Sequence, residues 1–362
     1  MKVLQVVNTL GLGGAETRLL SLVAGSTTGL EHHVAYLGGA EDLLPRFLAA
    51  GATVHCLGVT TKLGLPLGAL RLSTIMRRHH FDLVDTHSVH AALAARAAAT
   101  VVRTPVCMTQ HHAHHPKSAS SWYRAERATR RYVSAAVAIS SATLRELLDS
   151  GFSGRTFLIP TGIDAELWRS YAVDTAPWRT PYILMVGQFR DLQKGHDVLL
   201  RALARIRERG LTPTALLVGD GSLRLRMERL AADLGLSQQV HFLGERLDVA
   251  NLMAHCEVFV LPSRWEGFGR VLLEAMVVGA CVVASCAEGI PEVIDTGVSG
   301  VLVPPGDHES LANALESVLT QPTTRLRLGR QGQDLVLRNF RLERMCQLTL
   351  DAYHLVASHH KL

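Results

Sequence analysis

Two glutamates in one short segment offer the first chemistry in this sequence. Glu266 and Glu274 lie within PSRWEGFGRVLLEAM, residues 262–276. Glu266 follows an apolar run and precedes Gly267 and Gly269, which open the next helix, whereas Glu274 is the only charge in VLLEAMVVGACVVA. A carboxylate in so apolar a stretch has to be paired or hydrogen-bonded. A ribose diol offers two hydroxyls to the two oxygens of such a carboxylate, so we predict a sugar-binding role from this context rather than from the spacing alone.

A lysine beside a helix start is the second candidate. Lys194 precedes Gly195 in VGQFRDLQKG, residues 186–195. A cation next to the free amides of a helix N-terminus favours the binding of a phosphate group. The alternative is a solvated lysine in an ordinary loop.

A glycine-rich turn, GLGGAE at residues 11–16, directly follows the first apolar run. Its glycines allow a tight turn and a close approach of the backbone to a ligand, and the next helix presents its amides to an anion. A nicotinamide-cofactor fingerprint would have Gly or Ala where Glu16 stands, and a carboxylate there would repel a pyrophosphate. An ordinary turn between strand and helix is the alternative.

Histidines are concentrated in one part of the first half of the chain. The run HHAHH suggests zinc, but no cysteine or carboxylate completes a recognisable ligand spacing, so we predict no metal site. His87 ends the run DLVDTH and His111 follows PVCMTQ, so both are expected to point into a ligand-binding cleft; hydrogen-bonded loop histidines are the alternative. The concentrated histidines are His79, His80, His87, His90, His111, His112, His114 and His115.

Basic residues follow apolar segments at two places. They suggest contact with an anionic membrane surface or a phosphorylated acceptor, and the alternative is a set of solvated helix faces. The sequence has no recognised nucleic-acid-binding motif, so no nucleic acid partner is predicted. These residues are Arg71, Arg77 and Arg78 after GLPLGAL, and Arg124, Arg127, Arg130 and Arg131 after Trp122 and Tyr123.

The elements that must position these residues alternate between short apolar strands and amphipathic helices. Continuous apolar strands between helices predict an α/β fold with parallel sheets covered on both faces, and ligands bind beyond the carboxyl ends of such strands. The strand-like runs are KVLQVV, HHVAYL, TVHCL, DLVDTH, PVCMTQ, AAVAIS and TFLIP, then YILMVG, TALLVG, VHFLG, EVFVLP, CVVAS and VLVPP.

A break in this alternation predicts two domains. Residues 169–181 contain two prolines and no periodicity, which is typical of a linker. We therefore predict two doubly wound, Rossmann-like domains, residues 1–168 and 182–340, that face each other across a cleft. A further helix is expected within residues 341–362.

Composition indicates a globular protein with large hydrophobic cores and no membrane-spanning segment. The chain has 362 residues, of which 48% are hydrophobic and 5% aromatic, enough for two cores built mainly from Leu, Val and Ala. No apolar run reaches the about 18 residues that a spanning helix needs, and Asn8, Gly11 and Glu16 interrupt what would otherwise resemble a secretory signal. Six cysteines without a CxxC pair are expected to be reduced thiols. The lack of a spanning run and of such a signal leads us to expect a cytoplasmic protein. The net charge of +5 and the basic residues suggest contact with the inner face of the membrane.

Taken together, these motifs resemble those of the retaining glycosyltransferases of family 4, which have the GT-B fold. The resemblance implies transfer of a sugar from a nucleotide donor with retention at the anomeric carbon. It implies an acceptor-side domain at 1–168, a nucleotide-sugar-binding domain at 182–340, and a final helix, 341–362, that crosses back to the first domain. The matching motifs are GLGGAE, IPTGID (159–164), VGQF…KG, LVGDG (217–221), FLG (242–244), LPSRWEGFG…LEAM and GIPEVIDTGVSGVLVPPGD (289–307).

The resemblance also implies a role for each matching position. Glu274 would hold the donor ribose, and Glu266 would touch the donor-sugar hydroxyls. Lys194 would neutralise the diphosphate, and His87 would lie near the reacting sugar. The remaining donor-binding candidates are Gly187, Gln188, Arg190, Gly219, Leu243, Gly267, Phe268 and Gly269, and the acceptor-side loop candidates are Gly13, Gly14, Glu16 and His111.

Two positions depart from the family pattern. The family usually has Arg after the glycine of the V-G-R motif, where this chain has Gln188, and Arg190 is the candidate replacement for that cation. Thr161 stands in IPTGID where Asn is common, which we consider minor. The first departure bears on the rate of transfer and on the choice of donor.

The chain contains no Asp-x-Asp motif, with which many glycosyltransferases hold a metal. Lys194, Arg190 and helix amides would then stabilise the leaving diphosphate without metal. We therefore expect a retaining, metal-independent hexosyltransferase that uses a UDP-sugar in preference to a GDP-sugar, has a hydroxyl acceptor that is lipid-linked or anionic, and needs no cofactor. The alternatives are a catalytically weak or accessory transferase-like subunit, a nicotinamide oxidoreductase, which Glu16 disfavours, and a two-lobed sugar-binding protein.

Overall fold

The computed structural model describes residues 1–26, 29–111 and 120–359 and divides the chain into two compact units. The first unit comprises Met1–Gly162 together with Leu342–Leu362, and the second comprises Ile163–Arg341. The segment 169–181, predicted as a linker, falls within the second unit, and the last helix falls within the first.

The strands form where β-branched and other apolar residues follow one another. Each predicted strand-like run overlaps one of them. They are β1 (Lys2–Val7), β2 (Glu31–Tyr36), β3 (Thr53–Cys56), β4 (Leu83–Thr86), β5 (Val106–Gln110), β6 (Ala135–Ala138), β7 (Arg155–Leu158), β8 (Tyr182–Val186), β9 (Thr214–Val218), β10 (Val240–Gly244), β11 (Val258–Leu261), β12 (Val282–Ser285) and β13 (Val301–Val303).

The helices fill the connections between these strands. They are α1 (Gly14–Gly25), α2 (Leu44–Ala49), α3 (Leu65–His79), α4 (Val89–Val102), α5 (Ser121–Thr129), α6 (Ser141–Asp149), α7 (Ala165–Ser170), α8 (His196–Glu208), α9 (Arg224–Asp233), α10 (Val249–His255), α11 (Arg270–Val277), α12 (His308–Thr320), α13 (Pro322–Asn339) and α14 (Leu342–His359). None of these helices is long and apolar enough to cross a membrane, over the part of the chain that is described.

Each unit contains one parallel sheet with a point where the strand order reverses. The first sheet has the order β3-β2-β1-β4-β5-β6-β7, and the second has the order β10-β9-β8-β11-β12-β13. The reversals lie between β1 and β4 and between β8 and β11, and open α/β sheets bind ligands at such points. The prediction of an α/β fold with two doubly wound sheets is therefore confirmed.

The cores lie on both faces of each sheet, as buried parallel strands require. In the first unit the last helix, α14, adds Met345, Tyr353 and Val356 to the buried cluster that contains Leu19 of α1. In the second unit α8 and α12 pack together on one face, with Leu199 and Leu311 fully buried. This packing fixes the strand ends from which the candidate residues project.

Candidate functional site

An ion pair between two loops marks the reversal point of the second sheet. Lys194, in the loop after β8, donates a hydrogen bond to Oε2 of Glu266, in the loop after β11, at 2.5 Å. The buried Ser263 hydroxyl donates to the same oxygen at 3.4 Å. The side chains of Lys194 and Glu266 are 22% and 12% exposed, so a ligand can still reach them. An incoming anion would share the ammonium of Lys194 with Glu266.

A second ion pair ties the loop after β11 to the start of helix α8. Both guanidinium N–H groups of Arg264 donate to the two carboxylate oxygens of Asp197, each at 2.8 Å. Burial opposes the ionisation of Asp197, but hydrogen bonds from Arg264 and its charge outweigh burial and lower the pKa of this carboxyl. The Arg264 backbone also donates to the Gln193 carbonyl at 2.7 Å. This bidentate contact fixes the loop that carries Lys194.

Close backbone contacts explain the glycines that follow β8 and β9 and the glycine that precedes α8. Gly219 has a φ of 131°, and a Cβ there would collide with the carbonyl oxygen of Gly187. Gly195 has a φ of 74°, and a Cβ there would collide with the Pro262 carbonyl. A Cβ at Gly187 itself would lie 3.1 Å from Cγ of Lys194. Larger residues at these positions would push the Lys194 loop out of place.

The buried His196 contacts the start of the loop that carries Lys194. Its ring stacks on Phe189 at a centroid distance of 3.8 Å, and its Nε2 donates to the Gly187 carbonyl at 3.2 Å. Burial lowers the pKa of His196 to about 4, so the ring is neutral at pH 7. A neutral ring that donates through Nε2 holds the strand end in one position.

Glu274 lies one turn into helix α11, whose N-terminus follows Gly269. Its carboxylate accepts a hydrogen bond from Nε of Arg270 at 2.9 Å, so Arg270 is the partner that the apolar sequence context required. Burial raises the pKa of Glu274, although Arg270 and Lys194 oppose the effect. Phe268 is buried edge-on against Phe340, which anchors the start of the helix.

Glu288 is a third carboxylate in this region that the sequence analysis did not select. Its φ of 43° is in the left-handed region, which a residue with a side chain seldom adopts. Its Oε2 accepts a hydrogen bond from the backbone N–H of Glu266 at 3.1 Å. Glu288 therefore positions the backbone of Glu266 from the loop after β12.

Three predicted donor-binding residues contribute less to this network. Gln188 is half-buried and Arg190 is exposed, and within the described ranges neither side chain forms a hydrogen bond or an ion pair. Leu243 is half-buried near the end of β10. The role of Arg190 as a replacement cation stays a prediction.

His87 in the first unit is buried rather than open to solvent. Its Nε2 lies 2.7 Å from Oε1 of Gln5, and its Nδ1 lies 3.2 Å from Nε2 of His111. Burial lowers the pKa of His87, although the nearby Asp85 opposes the effect. Because an amide oxygen only accepts, the neutral ring carries its proton on Nε2, and Nδ1 accepts from His111. Both predicted histidines thus belong to one network after β4 and β5.

Helix α14 completes the network around His87. The Tyr353 hydroxyl donates to Oδ2 of Asp85 at 2.6 Å and accepts from Nε2 of Gln5 at 3.2 Å. Thr109 donates to the same Asp85 oxygen at 2.8 Å. Through Gln5, the last helix of the chain therefore helps to orient the His87 ring.

The glycine-rich turn of the first unit precedes helix α1. Gly13 is the N-cap and Glu16 lies in the first turn. A Cβ at Gly13 would collide with the Glu16 carboxylate, whereas Gly14 has no atom within 4 Å of a built Cβ. A carboxylate at a helix N-terminus stabilises the helix dipole and repels a second anion. This placement agrees with the argument against a nicotinamide cofactor.

One residue of the predicted basic surface was placed wrongly. Arg130 is buried, with Nε 3.1 Å from Oε2 of Glu126 and a second nitrogen 3.6 Å from Glu146. Glu126 lies on α5, four residues before Arg130, and Glu146 is supplied by helix α6. The other arginines of both groups are exposed: Arg71, Arg77, Arg78, Arg124, Arg127 and Arg131. His112, His114 and His115, which suggested zinc, lie outside the described residues.

Two family models match successive parts of the chain. The model described as Glycosyltransferase Family 4 matches residues 12–167, and the model described as Glycosyl transferases group 1 matches residues 173–335. The lipopolysaccharide core biosynthesis glycosyltransferase LpsE of Rhizobium meliloti is 34% identical over 48% of this chain and 51% of its own length. The chain thus spans about half the length of the first curated relatives it matches.

One relative and two solved structures extend the similarity over most of the chain. The phosphatidyl-myo-inositol mannosyltransferase of Mycobacterium tuberculosis is 30% identical over 71% of this chain and 70% of its own length. Anabaena Alr3699/HepE, crystallised with UDP and glucose, has a TM-score of 0.85 at 25% identity, over 98% of this chain and 99% of that one. Sucrose-phosphate synthase from Thermosynechococcus elongatus has a TM-score of 0.83 at 22% identity, over 99% and 100% of the two chains. The chain therefore belongs to the family 4 glycosyltransferases and has the GT-B fold.

Proposed function

We propose that this chain is a retaining, metal-independent glycosyltransferase that moves a hexose-type sugar from a UDP-sugar to a hydroxyl acceptor. The observation that carries the proposal is the contact of Lys194 with Glu266 at the reversal point of the second sheet. It joins a cation suited to a diphosphate to a carboxylate suited to sugar hydroxyls. The UDP and glucose in the Anabaena structure support uridine as the base and a hexose as the sugar.

The donor would be bound from three directions within the second unit. Glu274 accepts hydrogen bonds from the ribose hydroxyls, and Glu266 accepts them from the hydroxyls of the transferred sugar. Lys194 binds the diphosphate. The amides that follow Gly269 at the N-terminus of α11 add a positive partial charge near the phosphates. The glycines after β8 and β9 leave space for the nucleotide.

The reaction breaks the bond between the anomeric carbon and the phosphate oxygen. The charge that develops on this oxygen is stabilised by Lys194 and the α11 amides, which lowers the barrier. The acceptor hydroxyl attacks from the same face, and its proton passes to the leaving phosphate oxygen, so the configuration is retained.

Metal independence rests on the residues of the chain. Many glycosyltransferases use a metal held by Asp-x-Asp to neutralise the diphosphate, and the sequence has no such motif. Lys194 supplies a cation at the corresponding point of the proposed reaction. Removal of divalent cations is therefore expected to leave donor binding unchanged.

The exposed arginines of the first unit are the basis for the proposed acceptor and for the proposed location in the cell. The exposed arginines at residues 71–78 and 124–131 favour a lipid-linked or otherwise anionic acceptor at the inner face of the membrane. Two relatives act, by their names, in lipopolysaccharide core biosynthesis and on phosphatidyl-myo-inositol. Synthesis of a glycan, a glycolipid or a glycosylated metabolite fits this chemistry.

A panel of nucleotides tests the proposal directly. The melting temperature is measured with UDP, GDP, ADP, NAD and free hexoses, each with and without EDTA. A ligand at about 100 times its Kd adds about 2.7 kcal/mol of stability. Stabilisation by UDP that EDTA does not reduce supports a metal-independent UDP-sugar transferase, whereas stabilisation by GDP alone contradicts the choice of base.

A catalytically weak or accessory subunit is the second candidate, and Gln188 favours it. Gln188 replaces a usual cation of the family motif, and the exposed side chain of Arg190 forms no hydrogen bond or ion pair with the described residues that would direct it to the site. Such a subunit would bind UDP but release little or no UDP from a UDP-sugar in the presence of acceptors. Sustained turnover of a UDP-sugar with an acceptor excludes it.

A further inference from the structure

Three histidines of the first unit meet at the edge of its sheet, away from the residues discussed so far. His33 lies on β2, His55 on the edge strand β3, and His79 ends helix α3. One ring nitrogen from each lies within 4.8 Å of the others. Tetrahedral zinc with bonds of about 2.0–2.1 Å needs nitrogens about 3.3 Å apart, so small rotations of the rings suffice.

Strand register brings the first two rings together. His55 pairs with Ala35 and Thr53 pairs with His33, so both histidines lie on the same face of the sheet. Nδ1 of His33 and Nε2 of His55 are 2.9 Å apart. The rings of His33 and His79 are 4.8 Å apart between centroids, so the end of α3 closes the cluster.

A carboxylate fixes the proton of the central ring. Nε2 of the buried His33 lies 3.1 Å from Oε1 of Glu31 and donates to it, which leaves the Nδ1 lone pair directed at Nε2 of His55. Metal-bound histidines usually donate their second N–H to a carboxylate in this way. Glu31 is also paired with Lys2 at 3.1 Å, so its charge is largely balanced.

We propose that His33, His55 and His79 bind a divalent transition-metal ion of the zinc class, with water as the fourth ligand. The ligand atoms would be Nδ1 of His33, Nε2 of His55 and a nitrogen of His79. The proton on Nε2 of His55 that now points at His33 would move to Nδ1 of the same ring.

The site would be structural and separate from sugar transfer. His79 lies at the end of the helix that leads into β4, whereas His87 follows the opposite, carboxyl end of that strand. An ion there would join the edge strand β3 and the end of α3 to β2. It would stabilise the first unit without taking part in the chemistry proposed for Lys194 and Glu266.

Metal titration of the full chain, prepared without a histidine tag and stripped with a chelator, tests the proposal. Co²⁺ is expected to bind one ion per chain with the intense visible bands of a four-coordinate site, and Zn²⁺ should displace it. Zn²⁺ should also raise the melting temperature. His79→Gln should abolish the Co²⁺ bands, and Glu31→Gln should weaken binding about 10–100-fold.

Two controls identify the ligands. His80→Asn changes the adjacent, exposed histidine and should leave binding as in the wild type. A variant with His112, His114 and His115 all changed to Gln tests the other histidine-rich segment and should also bind normally. Circular dichroism of each variant in chelator shows that it is folded. Wild-type binding by His79→Gln, binding lost in the triple variant instead, or no Co²⁺ bands at 1 mM metal would each overturn the proposal.

Discussion

At the scale of single residues, the second unit holds Lys194, Glu266 and Glu274 in two ion pairs. Lys194 binds Glu266, and Arg270 binds Glu274. Each of these charges therefore has a partner of opposite charge. A buried charge without a partner would lower the free energy of unfolding. In the proposed complex, the donor diphosphate shares Lys194 with Glu266, and donor hydroxyls donate hydrogen bonds to the two carboxylates.

Glu266→Gln should lower the rate of transfer about 100–1000-fold while it changes UDP affinity little. The amide keeps the size of the side chain but accepts the sugar hydroxyls more weakly. Steady-state transfer and UDP titration measure the two effects. Glu245→Gln, at an exposed position of the same unit, is the matched control, and equal activity of both variants would contradict the role of Glu266.

Glu274→Ala should weaken UDP binding about 10–100-fold, because a charge-assisted hydrogen bond contributes about 1.5–3 kcal/mol. Calorimetric titration with UDP and with pyrophosphate separates the ribose contact from the phosphate contact. Pyrophosphate binding should be unchanged. If UDP binds Glu274→Ala as it binds the wild type, the ribose is held elsewhere.

His196 should make stability depend on pH because burial of its ring disfavours the protonated form. Burial lowers the pKa of His196 to about 4 in the folded chain, from an ordinary value of 6.5, so on acidification the unfolded state binds the proton first. Stability from this group is complete above pH 6.5 and is lost as the pH falls towards 4, by about 3 kcal/mol. Urea unfolding of wild type and His196→Phe at pH 7 and pH 4.5 measures this. An equal pH dependence in the two proteins would show that His196 is not the titrating group.

At the scale of elements, α14 connects the end of the sequence to the His87 network. Tyr353→Phe removes the hydroxyl that donates to Asp85. Loss of a buried hydrogen bond should lower the free energy of unfolding by about 1–3 kcal/mol and slow transfer while UDP binding stays normal. Denaturant unfolding measures the stability, and steady-state kinetics measure the rate of transfer. Tyr171→Phe, at an exposed tyrosine, is the control. Wild-type kinetics in Tyr353→Phe would show that α14 does not influence transfer through the His87 network.

The elements themselves were predictable because their signals are local. Each strand is a short apolar run. His87 directly follows one such run, and Lys194 and Glu266 lie in the loops after two others. The α/β architecture follows from that alternation alone.

The partners of these residues were not predictable from local pattern. Arg264 meets Asp197 across 67 positions, and Glu288 meets the Glu266 backbone across 22. Such pairs depend on which strands are neighbours in the sheet, and no periodicity reports that. The burial of Arg130 was missed in part for a similar reason: Glu126 lies four residues before it on α5, but Glu146 lies on α6 and meets Arg130 only in the folded chain.

At the scale of the whole molecule, each unit carries a separate polar network on its own sheet. The second unit holds the residues suited to a nucleotide and a sugar, and the first holds the buried His87 network. Family membership covers both units, since one family model matches each. The central claim is that the diphosphate of the donor binds Lys194.

Titration with UDP and with uridine tests this claim most directly. Wild type, Lys194→Met and the control Arg201→Met, which removes an exposed cation of α8, are compared by calorimetry in the presence of EDTA. We predict that Lys194→Met loses about 10-fold or more in affinity for UDP but binds uridine as the wild type does, and that Arg201→Met binds both normally. Equal UDP affinity in Lys194→Met and wild type would contradict the account.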